Sequence, residues 1–509
     1  MSETATVLEM PLLLDMICMR LSPVDIMSCS ICCRRWYTTF APYRFRKLTL
    51  KSFCPAKSTF LFINRHYIRE LEMDLTNEAT FDISLWEGLR ILTLGFTQND
   101  MEVSGDETPS NDRILLMSGS GKVLSAVNQI QRNRGLRTLT ITQARNHNGI
   151  SLESVPLPIL QALVGSPTLQ KIEITVPITC LLFSKILNHL PQHLRELVLG
   201  VDVMSLRRNH DRCDRHSSWF QANVPALALR RLVLKYHMNC FVRRYFVVLL
   251  QHCPNLEHLT MPSMENHDQP QVFYNLAQVI QSSCQSLSSL SLRLCGPKSI
   301  DETFLAHLLE IYTSGLRRLT IDCEGSRHSN RLTKGVERRA MERLINTATA
   351  STIEVLRLCP SGYNGANLIG ILSECVRLRE FRVHGGFGFG DGIGLSALVS
   401  STTDRWKCWR SLQVLELEIS NRDIVYGSNA DTRRLVHRTI NKVVQLHQWL
   451  ISLPVLKSLH LHWEMVTRMD NDRDGPRLTL ELAKVAGIAA KEGYNIDEED
   501  MVWLGLLQR

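Results

Sequence analysis

The chain has 509 residues, 44% of them hydrophobic and 21% charged, with a net charge of +8. Such a composition belongs to a packed protein and excludes one dominated by disorder, which would be poor in Leu and uniformly charged. The most apolar stretches, Met10–Met19 and Phe241–Leu250, run about ten residues, short of the ~20 a bilayer-crossing helix needs.

The charge is local. Between Ile26 and Arg69 there are nine Lys and Arg and no Asp or Glu, so the rest of the chain is close to neutral. One patch does not indicate general nucleic-acid affinity, and neither nucleic acid nor membrane is expected as a partner. Fifteen cysteines, an odd number and about 3% of the chain, are too few for a disulfide scaffold. Met10–Met19 holds Asp15 and lacks a basic run before it, so no secretory leader is expected. A reducing setting, cytoplasmic or nuclear, follows as an expectation.

Residues 1–50 form a separate module, of which 10–50 read as two or three short helices. Pro11 suits a first helical turn, and Leu13, Leu14, Ile17 and Leu21 share one face. Ser22-Pro23 stops that helix, and Asp25 falls where a helix start favours negative charge. Ile26, Cys29 and Cys33 follow at spacings of three and four, before Arg34-Arg35-Trp36. A module of about forty residues is too small to be strongly stable alone, so docking to a partner is expected.

Residues 51–474 obey another rule. The pattern Leu-x-x-Leu-x-Leu, with other apolar residues allowed, occurs thirteen times from Ile68/Leu71/Met73 to Leu456/Leu459/Leu461, at about 32 residues per copy. The copy Leu287–Ile321 shows its mechanics. Leu290 and Leu292 alternate on a short strand, and Gly296-Pro297 breaks it. Ser299 and Glu302 form a capping-box signature for a helix whose apolar face is Phe304, Leu305, Leu308, Leu309 and Tyr312. Gly315 supplies a left-handed end before the next strand. Cys253, Cys284 and Cys375 each precede a repeat's first apolar residue by three, where a small side chain fills the helix-to-strand corner.

Polar, acidic 97–113 reads as an inserted loop, and Gly385–Gly394 as a second insertion. Residues 475–509, with Thr479–Glu492 helical, are expected to cap the last repeat.

The repeats resemble leucine-rich repeats at the long end of their range. Pro11, Leu13, Leu14, Pro23, Asp25, Ile26, Cys33, Arg34, Arg35 and Trp36 resemble the F-box. Two positions depart from it: apolar residues stand where an acidic one follows the proline, and the exit reads Phe45-Arg46-Lys47-Leu48. In this order the two look like an F-box/leucine-rich-repeat protein, an α/β chain with a short helical F-box followed by a solenoid. The resemblance implies a non-catalytic substrate receptor of an SCF-type ubiquitin ligase. Its F-box would dock on a Skp-type adaptor, and through it on cullin and a RING protein, using Pro11, Leu13, Leu14, Ile17, Leu21, Pro23, Asp25, Ile26, Cys33, Arg35 and Trp36. The alternative is a repeat scaffold or regulator without a degradation role.

Chemical motifs are weak. Ser118-Gly-Ser-Gly-Lys122 lacks the Ser or Thr and the earlier Gly of a phosphate loop. His210, Cys213 and His216 lack a fourth zinc ligand nearby, and Cys29, Cys32 and Cys33 lack a second pair. No catalytic residue, metal or cofactor is expected. On the strand face turned from the core, Glu70, Glu72 and Asp74 stand first and Glu416 and Glu418 near the end. Between them Arg231, Lys235, His258, Arg293, Arg318, Arg357 and Arg382 form a basic stripe, expected to hold an acidic or phosphorylated segment of the partner.

Overall fold

The computed structural model describes residues 11–50, 63–74, 88–96, 127–128, 130–143, 157–164, 166–178, 186–201, 226–235, 240–261, 270–295, 302–312, 315–324, 343–358, 365–383, 406–421, 453–466 and 477–481. Both inserted loops, the Ser118–Lys122 loop and the His210/Cys213/His216 cluster lie outside them. The chain divides into two compact units, Met1–Tyr236 with Phe241–Cys253, and His237–Cys240 with Pro254–Arg509.

Unit 1 begins with helices α1 (Pro11–Arg20), α2 (Pro23–Cys32) and α3 (Arg34–Arg44). Strands β1 (Lys47–Leu50), β2 (Glu70–Asp74), β3 (Ile91–Phe96), β4 (Thr138–Gln143), β5 (Lys171–Ile178), β6 (Glu196–Val201) and β7 (Arg231–Lys235) follow. Each pairs in parallel with the next. Unit 2 holds β8 (His258–Met261), β9 (Ser289–Cys295), β10 (Arg318–Glu324), β11 (Val355–Leu358), β12 (Glu380–Val383), β13 (Val414–Asn421) and β14 (Ser458–Val466), again parallel in sequence. The thirteen repeats are the thirteen strands β2–β14, and the fold is an α/β solenoid behind a helical module.

Register follows from the apolar pattern. The middle residue of each repeat stacks on its equivalent: Leu71, Leu92, Leu139, Ile172, Leu197 and Leu232 in unit 1. In unit 2 the file is Leu259, Leu290, Leu319, Leu356, Phe381 and Leu415. All twelve are at most 1% exposed. A one-residue slip would turn a whole strand's apolar set to water, at about 1.5–3 kcal/mol per Leu. Helices such as Pro270–Ser283 and Glu302–Ile311 make the crossovers that parallel strands need. They bury Leu276 and Ile280, and Leu308 and Leu309.

The corner entering each strand has its own hydrogen-bond pattern. Arg90 N and Ile91 N both donate to Arg69 O, at 2.8 and 3.0 Å, and the arrangement recurs along both units. One residue earlier, the carbonyl of the repeat's first apolar residue points into the corner, where hydroxyls reach it. Thr168 Oγ1 donates to Leu136 O at 2.9 Å, Thr352 Oγ1 to Leu316 O at 3.0 Å and Ser411 Oγ to Leu378 O at 2.9 Å. Tyr312 Oη does the same to Leu287 O at 2.6 Å. Gly315 has φ 103°, the left-handed conformation its position calls for. Cys253, Cys284 and Cys375 are fully buried in these corners.

Two expectations need correction. The sheet starts at Lys47, inside the stretch read as purely helical, because β1 pairs with β2. Thr479–Glu481 are not helical: Arg477–Glu481 form β15, antiparallel to His462–Val466 of β14. Arg-Leu-Thr-Leu-Glu alternates with a period of two, and the edge of β14 supplies the hydrogen bonds that fix the strand.

Candidate docking surface and charge ladder

Local chemistry builds the helical module. Ser22 caps α2: its Oγ accepts from Asp25 N at 3.2 Å, and Asp25 Oδ2 accepts from Ser22 N at 3.1 Å. Hydrogen bonds from the Ser22 hydroxyl and backbone hold the Asp25 carboxyl below its usual range. Pro23 occupies the first turn, where its missing N–H costs nothing. Cys33 is extended between the helices, and its Sγ accepts from Trp36 N at 3.4 Å, capping α3.

The three helices close on Leu14, Cys18, Ile26 and Phe40, with Leu21, Cys29, Trp36 and Tyr43 packed around them. Trp36 and Phe40 meet with ring centroids 5.8 Å apart. Tyr43 Oη donates to Asp15 Oδ1 at 2.5 Å, tying the end of α3 to α1.

This core splits the residues that the sequence offered for docking. Leu14 and Ile26 are each 8% exposed and serve as core, since packing consumes their faces. Ile17, Leu21 and Trp36 are half-buried, whereas Leu13, Pro23, Asp25, Cys33 and Arg35 are exposed; the side chain of Pro11 lies outside the described set. The exposed apolar surface is instead Leu13 and Met16 on α1, Val24, Met27 and Ile31 on α2, and Tyr37 on α3, each between 38% and 72% exposed. Sequence reasoning missed five of these six. Val24, Met27 and Ile31 stand at i, i+3 and i+7, a stripe opposite the Ile26/Ser30 side that a search for periodic core residues discards.

On the strands, the expected basic stripe is largely neutralised. Arg231 Nη1 lies 3.2 Å from Glu196, and Lys235 Nζ 3.1 Å from Glu173. Lys171 sits between Glu173 and Glu196, at 3.3 and 3.5 Å. Arg357 Nε and Arg382 Nε converge on Glu380 Oε1 at 2.7 and 2.6 Å, and Arg382 Nη1 reaches Glu416 at 3.2 Å. Burial opposes ionisation of Glu380, but the hydrogen bond and charge of Arg357, with the charge of Arg382, outweigh it and hold the carboxyl below its usual range. Glu173 is held low in the same way by Lys235 and Lys171. Reading each strand separately missed this ladder, because most of its ion pairs join residues one or two repeats apart in sequence. His258 is half-buried and Arg318 exposed, neither with an ion pair to a described residue; the side chain of Arg293 is outside the described set.

Among the described residues, no group of three or more His, Cys, Asp or Glu could hold a metal ion. Nor is any described helix long and apolar enough to cross a membrane.

Residues 7–48 match the F-box domain, a span that takes in all three helices and the start of β1. The chain thus joins an F-box domain to thirteen Leu-x-x-Leu-x-Leu strands of the kind that leucine-rich repeats form. Among solved structures it is similar to a chain of the yeast Rad7 and Elc1 complex, at 14% identity and TM-score 0.41 over 78% of this chain and 92% of that one. It is also similar to the leucine-rich repeat-containing protein LegL7 from Legionella pneumophila, at 13% identity and TM-score 0.33 over 75% and 97%. No curated protein matches the sequence.

Proposed function

We propose that the chain is a non-catalytic substrate receptor of an SCF-type ubiquitin ligase. F-box domains bind Skp-type adaptors, and here the adaptor packs against Leu13, Met16, Val24, Met27, Ile31 and Tyr37, with cullin and a RING protein recruited through it. Leu14 and Ile26 hold the helices that present this face. The repeats carry the protein to be modified, and the receptor acts by raising the local concentration of its lysines near the ubiquitin-loaded enzyme.

One observation carries the reading. Among its described residues, a three-helix module whose own core cluster is four side chains leaves six large apolar residues in water, all inside the F-box match. Exposed apolar surface of that density marks a protein contact.

Val24→Glu with Ile31→Glu places two charges on the exposed stripe of α2 without touching the core. Binding of purified Skp-type adaptor is expected to fall at least about tenfold, corresponding to ~1.4 kcal/mol, with an unchanged far-UV circular dichroism spectrum. Full binding by the double variant would overturn the proposal. A chain that binds adaptor, yet whose replacement by the variant lets no protein accumulate in cells, would be a docked scaffold instead.

A further inference from the structure

The residue that follows each repeat's first apolar position forms a continuous file in unit 1. Arg69 N donates to Arg46 O at 2.9 Å. Arg90 then donates to Arg69, Arg137 to Arg90, Gln170 to Arg137, Arg195 to Gln170 and Arg230 to Arg195, each at 2.8 Å. Six arginines thus occupy seven adjacent rungs, spaced about 4.8 Å, along a file about 29 Å long. Arg46, Arg90, Arg137, Arg195 and Arg230 are exposed. Arg46 approaches Glu70 at 3.6 Å and Arg69 Nη1 donates to Gly88 O at 3.2 Å, while Arg90, Arg137 and Arg195 have no ion pair to a described residue.

The backbone does not require arginine at this position. In unit 2 the equivalent file, joined by the same hydrogen bonds, reads Glu257, Ser288, Arg317, Glu354, Arg379, Gln413 and Lys457. There both signs are present, and Arg379 lies 4.0 Å from Glu354 in its own file. The unit 1 file holds no carboxylate. Like charges on neighbouring rungs destabilise a sheet, and a ligand of opposite sign relieves that repulsion.

The adjoining row of outward side chains chooses between ligands. It contains Glu70 and Glu196 and, from Lys47 to Arg231, no aromatic residue. A nucleic-acid strand carries uniform charge and gains from stacking on aromatics, so both features disfavour it. An extended polypeptide presents alternate side chains at about 6.7 Å on one face, a spacing that flexible guanidinium groups two rungs or fewer apart can meet.

We propose that the Arg46–Arg230 file is the docking track for an extended acidic segment of a protein partner, bearing carboxylates or phosphoserines. The proposal deepens the receptor reading by naming the partner's chemistry, and rests on it only for placing a partner on the repeats.

Fluorescence anisotropy on the full chain tests it, with a fluorescein-labelled peptide alternating Glu and Ser, its phosphoserine form and an oligothymidylate as probes. At least one peptide is expected to bind, and Arg90→Glu with Arg137→Glu to weaken it about tenfold or more. Arg90→Gln with Arg137→Gln, free of reversed charge, should weaken it less, and Arg317→Glu with Arg379→Glu in unit 2 should leave it unchanged. Preference for one peptide names the anion. No peptide binding, equal loss in the unit 2 variant, or tighter binding of the oligothymidylate would overturn the track. Adaptor binding measured on the same variants keeps the two readings apart: a failed track with adaptor still bound removes the track alone.

Discussion

Cys284, Cys375 and Cys408 stand fully buried where a helix or turn delivers the chain to a strand. Burial pushes each thiol up from about 9 to about 12, with small additions from Cys408 and Glu374 at Cys375. Because the folded state holds these protons more tightly than the unfolded one, the protonated thiols contribute stability that is present below pH 9 and is lost as pH rises towards 12. Cys32 and Cys33, by contrast, are exposed on the helical module. Limited alkylation with iodoacetamide at pH 8.5, read by peptide mass spectrometry, should therefore modify Cys32 and Cys33 well before the three corner cysteines. Equal labelling would mean that the corners open readily. Charge shows the same dependence on setting: Arg231, Lys235, Arg357 and Arg382 are basic in sequence yet belong to mixed ladders, whereas Arg90 and Arg137 have only arginine or glutamine beside them in their file.

At the scale of the element, side-chain hydroxyls hold the corners at Leu136, Leu287, Leu316 and Leu378. The first apolar residue is buried in every repeat but the last, where Leu456 is half-buried, and its carbonyl falls one residue short of the carbonyl that takes the paired N–H groups of the next strand. A buried carbonyl without a partner costs about 1–3 kcal/mol. Thr352 Oγ1 reaches Leu316 O at 3.0 Å and Thr349 O at 3.2 Å, and Thr352→Val keeps the shape while removing the hydroxyl that both carbonyls share. Its denaturation midpoint should drop by the equivalent of about 1 kcal/mol or more; an unchanged midpoint would mean that water satisfies Leu316 equally well. Asn133 works from the other direction, its Oδ1 accepting from the buried Leu89 N at 2.9 Å. In the helical module the reciprocal pair Ser22–Asp25 sets where α2 begins, and that start fixes which way Val24, Met27 and Ile31 face.

For the whole molecule, stability adds repeat by repeat, since each strand's apolar file touches its neighbours. Leu319 stacks between Leu290 and Leu356 with no exposed surface. Leu319→Ala should cost about 2–5 kcal/mol, and amide hydrogen exchange should show protection lost first in β9, β10 and β11. Even loss from β8 to β14 would instead make unit 2 a single cooperative block. Function divides along the chain in a similar way. The helical module offers an apolar face, while the strands of unit 1 offer a file of like charge and those of unit 2 a balanced one.

Much of this was legible in the amino-acid order alone. Thirteen recurrences of Leu-x-x-Leu-x-Leu dictate thirteen strands, because period-two burial and a repeat long enough for a crossover leave no other economical packing. Proline, Ser22 and Asp25 likewise set the helices of the first module. Tertiary structure decided what local order cannot carry. It placed Leu14 and Ile26 inside and Met16, Val24 and Ile31 outside, since three helices around one small core leave each helix a second face. It made Arg477–Glu481 a strand by offering an edge. It also brought residues tens of positions apart onto neighbouring rungs, where a carboxylate cancels Arg357 but none stands in the file of Arg90 and Arg137, because charge interaction depends on distance in space and not along the chain.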